Sequence, residues 1–292
     1  MTLQTTHTRT TNLLTRRTWL SLTHRGNWMT VWSSAILILL ILVAALAPVI
    51  APYDPYAVSL IDSLQGPSVA HLLGTDEAGR DVLSRVIFAA RISLLGPLAV
   101  VIGSSILGVL IGILAAWNGG TIDGVLSRII EVLFAFPGVL LAILVVAITG
   151  PGLNSTVLAL SIAYIPYMAR VTRSVAMTER GSPYVQALET QGMPARQILF
   201  RHLLPNIFPF VIAQATLLFG YAMIDLAALS FLGFGVQPPE ADWGAMASEG
   251  QSALIQGMFL PALAPGFLIV LAVVSFSLLG EGLAERIVKR NR

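Results

Sequence analysis

The sequence contains no cysteine. That absence excludes disulfides, thiolate metal sites, cysteine-linked lipid anchors and cysteine nucleophiles. Lysine is nearly as scarce: the one lysine, Lys289, lies close to the C-terminus and is followed by Arg290. No phosphate loop of the form G-x-x-x-x-G-K-[ST] can be built, so any ATP-driven step belongs to another chain. His7, His24, His71 and His202 are scattered, with no second histidine or carboxylate at helical ligand spacing, and a metal site made by this chain alone is not expected. Charged side chains make up 11% of the residues, where an ordinary soluble chain carries about 25%. Hydrophobic residues make up 55%, and the mean hydropathy is +0.80. The reading is an all-α polytopic membrane protein.

The few charges are sorted along the chain. Arg9, Arg16, Arg17 and Arg25 precede the first apolar run; Arg170, Arg173, Arg180, Arg196 and Arg201 fall in a central polar loop; Arg286, Lys289, Arg290 and Arg292 end the chain. The intervening polar segments are acidic, with Asp54, Asp62, Asp76, Glu77 and Asp81 in one and Glu240, Asp242 and Glu249 in the other. By the positive-inside rule the basic segments are cytoplasmic, both termini included, and the net charge of +2 reports orientation rather than a nucleic-acid partner.

Six spans follow from the apolar runs, the first of them close to the ~20 residues that a ~30 Å hydrocarbon core requires. They are Trp32–Ile50, Phe88–Ala116, Gly124–Ile148, Leu153–Met168, Pro205–Leu226 and Pro261–Leu279. A cytoplasmic tail at 1–31 opens the chain, in preference to a transit or signal sequence, because Pro48 follows the one A-x-A. The spans occupy 32–281, and a second cytoplasmic tail covers 282–292. Outer segments are expected at 53–85 and 230–260, and a cytoplasmic loop at 170–204. Trp28 and Trp32 are placed at the inner interface, Tyr53 and Tyr56 at the outer one. Gly108 and Gly112 form a GxxxG, a helix-packing surface whose partner the sequence leaves open. Phe136–Pro137–Gly138 allows a kink in the third span. Arg128 and Glu131, three apart, read as a self-satisfied pair. Asp225 is the one carboxylate deep in the fifth run and is placed near its outer edge.

The central loop carries the strongest punctuation. Ser182 can cap a helix with Pro183 at its first position, Gly192 can take a left-handed stop, and Pro194 can open a second helix. Tyr184, Ala187, Leu188 and Gln191 at i, i+3, i+4 and i+7 put a stripe on one face of the first helix, beside Gln186 and Glu189. From this helix alone, an interfacial helix lying on lipid is an equal alternative.

Three ordered motifs carry a family resemblance. Tyr184-x-x-Ala187 with Gly192, then Ile198, Arg201–His202 and Leu204–Pro205–Asn206, resembles the EAA loop of ATP-binding-cassette (ABC) importer permeases of the dipeptide, oligopeptide and nickel branch. Gln186–Ala187–Leu188 and Thr190 depart from its usual residues. Gly74-Thr75-Asp76 with Gly79-Arg80-Asp81 is similar to the LGTD-x-x-GRD segment before the second span. Gly233, Gly235, Pro238, Pro239 and Trp243–Gly244 resemble the SFLG-x-G-x-x-PP…WG block after the fifth, with Trp243 expected as an interfacial anchor. For the second motif a self-bonded turn, with Thr75 as a helix cap and Asp76 paired to Arg80, is preferred over contact with substrate.

The resemblance implies a permease subunit that pairs with a second homologous permease. Its coupling loop, through Tyr184, Ala187, Leu188, Glu189, Gly192, Arg201 and Pro205, would sit in two cytoplasmic ATPase subunits that bind ATP and Mg. An extracytoplasmic solute-binding protein would deliver short peptides to the outer face, in the bacterial inner membrane. No cofactor is expected in this chain, and no covalent chemistry. A nickel or metal–chelator permease is the alternative within the family. A self-sufficient channel or secondary transporter is the alternative of another class, and would need mid-membrane charges for ion coupling.

Overall fold

The computed structural model describes residues 11–290, with side chains described for 28–285. Most of the 1–31 tail and the end of the 282–292 tail therefore lie outside the residues whose side chains are described. Among the described residues every regular element is helical. The long helices are α1 (Thr11–Ile50), α2 (Val82–Asn118), α5 (Leu153–Arg180), α8 (Leu204–Phe231) and α11 (Leu260–Arg290). Shorter ones are α3 (Gly120–Phe134), α4 (Gly138–Thr149), α6 (Pro183–Thr190), α7 (Ala195–Ile198), α9 (Trp243–Glu249) and α10 (Gln251–Ile255).

Their order in space follows from how apolar each one is. α5 packs most extensively on α2 and also meets α4, α8 and α3, while α1 packs on α11 and α2. On α1 the buried positions Ser33, Leu37, Leu40 and Ala47 form one helical stripe, and the rest of the circumference, including Ile38, Leu39, Ile41 and Leu42, is exposed. Such a helix needs one protein neighbour and a solvent of lipid. α5 is the opposite case. It carries Asn154, Thr156, Ser161, Tyr164, Tyr167, Arg170 and Arg173, and it packs on more helices than α1 does, with Thr156 and Ser161 buried and Asn154 and Arg170 exposed.

This bears on the count of spans. Among the described residues four helices are long and apolar enough to cross a membrane, and a fifth span is counted if α3 and α4 are taken as one bent span. The one expected span left over, the fourth, Leu153–Met168, lies in α5, which is long enough but too polar to be counted with them. The kink expected at Phe136–Pro137–Gly138 is an 86° bend between α3 and α4. Pro137 has no N–H for the helix and forces its predecessor out of helical geometry, so the two halves part there.

The GxxxG partner lies within the chain. A Cβ on Gly108 would stand 2.5 Å from the Met168 Cβ, and one on Gly112 would stand 2.6 Å from the Ala169 carbonyl oxygen. Only glycine permits this approach of α2 to α5. At the other side of α2, Pro48 cannot donate to the Ala44 carbonyl in α1. Arg91 Nε donates to it instead at 2.8 Å, so a proline break in one helix is satisfied by a cation from the next.

Several boundaries differ from the sequence reading. α5 continues through Arg180, so the first part of the expected 170–204 loop is helix. Residues Ala195–Phe231 form one helical run of 37 residues with a π turn at Leu199–Leu203. Pro205 does not start a span but sits inside this run. Its missing N–H leaves Arg201 without an α-type partner, and the wider turn accommodates the gap. α2 begins at Val82, inside the expected 53–85 segment, because Asp81 caps it there.

Candidate functional site

Three clusters of polar residues stand out, at the two ends of the bundle and between α5 and α8. At the α6–α7 end, Ser182 occupies the N-cap position of α6, with Pro183 as its first residue, but its hydroxyl makes no capping bond. Gly192 adopts φ +76° and α7 starts after Pro194, as the punctuation requires. The inward face of α6 is Val185 with the half-buried Tyr184 and Leu188, whereas Ala187, Glu189 and Thr190 are exposed. The stripe expected through Ala187 is thus rotated, because Val185 supplies the apolar contact.

One triad ties this helix to the bundle. The Tyr184 hydroxyl donates to Glu179 Oε1 at 2.6 Å, and Asn206 Nδ2 donates to the same oxygen at 3.1 Å and to the Tyr184 hydroxyl at 2.9 Å. Glu179 ends α5 and Asn206 begins α8, so one phenol links α6 to both. Partial burial and the Glu179 bond hold the Tyr184 phenol above its ordinary pKa, which keeps it a donor. Beyond α6, Arg201 lines an open depression of about 590 Å³ with Pro194, Arg196, Gln197 and Phe200, and Pro205 is exposed. Behind it, Arg173 grips Asp123 with two bonds of 2.6 and 2.5 Å, and Arg180 donates to the Ala116 and Trp117 carbonyls at the end of α2. Arg128 and Glu131 form their own exposed pair at 3.2 Å.

At the opposite end the second and third motifs meet. Gly74 and Gly79 have φ of +79° and +72°, and a Cβ at Gly79 would lie 1.8 Å from the Ser59 carbonyl oxygen. Within this loop Asp76 accepts from the Ala78 and Arg80 amides, each at 2.9 Å, and from Arg80 Nε at 2.7 Å. Thr75 does not cap α2: its hydroxyl donates to the Asp62 carbonyl and accepts from the Gln65 amide. Asp81 is the cap, accepting from the Ser84 amide at 2.8 Å, and its other oxygen meets His71 Nδ1 at 2.9 Å.

The sequence reading did not single out Arg85, which is 1% exposed and lies 3.4 Å from Asp76 and 2.8 Å from Glu249 on α9. Arg80 reaches the same Glu249 oxygen at 3.1 Å. Two cations and two carboxylates therefore join the loop before α2 to the helix after α8.

Trp243 is not an interfacial anchor. It is fully buried, its amide donating to Ser93 Oγ at 2.9 Å and its indole N–H to the Val86 carbonyl at 3.0 Å. Its position follows from Asp242, which caps α9 through the Gly244 and Ala245 amides, and from Gly244, where a Cβ would lie 2.4 Å from the Ala227 carbonyl oxygen. Burial pushes the Asp242 carboxyl up to about 6 against the pull of those two amides. Gly233, at φ +83°, ends α8, and Gly235 is pressed against Ser230. Pro238 and Pro239 are exposed and join neither set of bonds.

The third cluster lies between α5 and α8. Tyr164 donates to Asp225 Oδ2 at 2.7 Å, and Tyr167 donates to Gln214 Oε1 at 2.9 Å. Asp225 is half-buried, about 9 Å short of the end of α8 at 1.5 Å per residue. Sequence reasoning named Asp225 but missed both tyrosines; the i, i+3 spacing of two phenols in a polar-sided helix was the available signal.

Comparison with known proteins agrees with this architecture. Residues 108–292 match the family described as binding-protein-dependent transport system inner membrane component, and residues 14–67 match the N-terminal TM domain of oligopeptide transport permease C. The chain is 40% identical over 245 residues to the dipeptide transport system permease protein DppC of Alkalihalophilus pseudofirmus, covering 84% of this chain and 80% of that one. It is 40% identical over 255 residues to the di/tripeptide transport system permease protein DppC of Pseudomonas aeruginosa, covering 85% and 84%. The probable D,D-dipeptide transport system permease protein DdpC of Escherichia coli is 37% identical over 261 residues, covering 89% and 87%. Among solved structures, an inward-facing form of the MetNI methionine ABC transporter shares the fold with a TM-score of 0.58 at 18% identity, covering 70% of this chain and 96% of that one. With a family model spanning most of its length and such relatives, the chain belongs to the binding-protein-dependent inner membrane components, the permease subunits of ABC importers.

Proposed function

We propose that this permease carries short peptides into the cytoplasm by alternating access, driven by two ATPase subunits that bind α6 and α7. The observation that carries this reading is the Tyr184–Glu179–Asn206 triad. α6 turns Gln186, Ala187 and Glu189 outward, while its one phenol ties it to α5 and α8 together. A push on the exposed face is thereby delivered to the two helices that flank the polar seam. In this reading α5 is the fourth span and completes the six, sheltered from lipid by its neighbours, and α6–α7 are the coupling helices of the cytoplasmic loop. Both termini are cytoplasmic.

The partners are a second homologous permease, the ATPase pair with its ATP and Mg, and an extracytoplasmic solute-binding protein seated on the α9 end. Peptide as cargo is supported by the names of the relatives at 37–40% identity. The test is co-purification of the assembled importer and measurement of transport-coupled ATP hydrolysis. Ala187→Trp should weaken ATPase association, and Gly192→Val, which strains a left-handed residue, should uncouple hydrolysis from uptake. If both variants retain coupled hydrolysis, α6 is not the lever. A reporter fused after Arg292 should read as cytoplasmic and one inserted near Gln65 as extracytoplasmic.

A further inference from the structure

Asp225 is the only charged residue in α8, and among the described residues it has no cationic partner. Its single hydrogen bond comes from Tyr164 to Oδ2, and no described residue donates to Oδ1. A carboxylate offers about four acceptor sites, and in apolar surroundings one bond leaves it short of partners and of a counter-charge. Its neighbours along the helix are apolar: Ala222, Met223 and Leu226 are buried and Ile224 is exposed.

The same helix face carries Tyr221 one turn earlier, 60% exposed, and Gln214, since 214, 221 and 225 are spaced by seven and four. Gln214 spends its carbonyl oxygen on Tyr167, and its amide N–H groups donate to none of the described residues. The exposed seam thus offers a carboxylate with aromatic rings near it at one level. About 16 Å along the helix axis, at 1.5 Å per residue, it offers an amide donor.

We infer that Asp225, oriented by Tyr164 and flanked by Tyr221, receives the primary ammonium group of a peptide as it crosses this subunit. A carboxylate supplies a charge-assisted bond to N⁺–H, and an aromatic face attracts the same cation. The Gln214 amide is placed to donate to a peptide carbonyl or terminal carboxylate further along. Recognition is then of the amino terminus that unblocked peptides share and not of any side chain. Tyr164 is a positioning residue. The inference rests on the peptide reading above.

The test uses the complete importer in proteoliposomes, with a labelled tripeptide bearing a free amino group as cargo. Asp225→Asn should lower uptake at least 10-fold, Asp225→Glu should recover to within about 3-fold of wild type, and Tyr164→Phe should raise the KM for uptake about 3-fold with little change in maximal rate. ATP hydrolysis stimulated by the loaded binding protein should stay within 2-fold in all three. Because the chain has no native cysteine, the thiol introduced by Asp225→Cys can be modified selectively and followed by mass spectrometry of this subunit. An anionic sulfonate adduct should restore uptake, a cationic ammonium adduct should not, and excess tripeptide should slow the labelling.

If uptake by Asp225→Asn equals wild type, or labelling is indifferent to tripeptide, the ammonium site is wrong while the peptide reading stands. If the wild-type importer accumulates no peptide, both fall. If Asp225→Asn instead lowers the yield of assembled complex on size exclusion, Asp225 is a subunit contact and the inference is overturned.

Discussion

The two ends of the bundle are built differently. At the α9 end a buried arginine, a second arginine, two carboxylates, a fully buried tryptophan and two close-packed glycines bind three segments distant in sequence. At the α6–α7 end one phenol and one buried valine, Tyr184 and Val185, hold an eight-residue helix, and most of that helix faces outward. The first arrangement resists displacement because every move leaves a buried charge or void. The second has little to lose locally, and so can be grasped and moved as a unit. Damage at the first end should therefore appear as lost stability, and at the second as lost coupling.

The comparison can be broken most forcefully at Trp243. Trp243→Ala leaves a cavity and takes the indole donor away from the Val86 carbonyl, and should cost about 3–5 kcal/mol. A fall in Tm of the detergent-purified chain reads it; an unchanged Tm would mean that the α9 end is not the rigid one. Next is Arg85→Met, which leaves Glu249 and Asp76 with Arg80 alone. Removing one partner of a buried charge network costs about 3–5 kcal/mol, and the 26% exposure of the Glu249 side chain places this case at the low end. Adding Glu249→Gln should recover part of the loss, read as a double-mutant cycle in Tm.

Asp242 gives a smaller, pH-dependent effect. Its folded pKa, about 6, exceeds the unfolded value near 4, so the folded state binds the proton more tightly. Its contribution therefore favours folding at low pH and is lost as pH rises from about 4 to about 6, by up to about 3 kcal/mol. Asp242→Asn should flatten that stretch of the Tm-against-pH curve. The smallest change in stability is expected at the other end. Tyr184→Phe removes one hydroxyl from the triad and should cost about 1 kcal/mol in stability, yet lower the peptide carried per ATP hydrolysed several-fold. A variant that loses stability and keeps its coupling would reverse the contrast between the two ends.

Much of this was legible in the residues themselves. The helix bend at Pro137, the left-handed Gly192 and the Asp76–Arg80 turn each follow from a constraint on the backbone or on neighbours within one turn, whereas the small-residue face at Gly108 and Gly112 was legible and its partner α5 was not. Cross-chain pairing was not legible. Nothing near Arg85 in sequence announces Glu249, and Trp243 looks like an interfacial residue until its indole is found bonded to Val86 in α2. α5 shows the same limit in reverse: its polar residues lower its apparent fitness as a span because the protein that shelters them is invisible in a sliding window.

The sequence by itself determined that this chain is helical, built for the bilayer and without cysteine, and that it breaks at Pro137 and turns at Gly192. These are properties of composition and of residues a few positions apart, where covalent geometry and local hydrogen bonding decide. Only the tertiary structure decided which end is clamped, which helix is sheltered, and that Asp225 meets Tyr164 while keeping one oxygen unbonded. Those outcomes depend on burial and on contacts between residues dozens to more than a hundred positions apart, which the folded packing alone brings together.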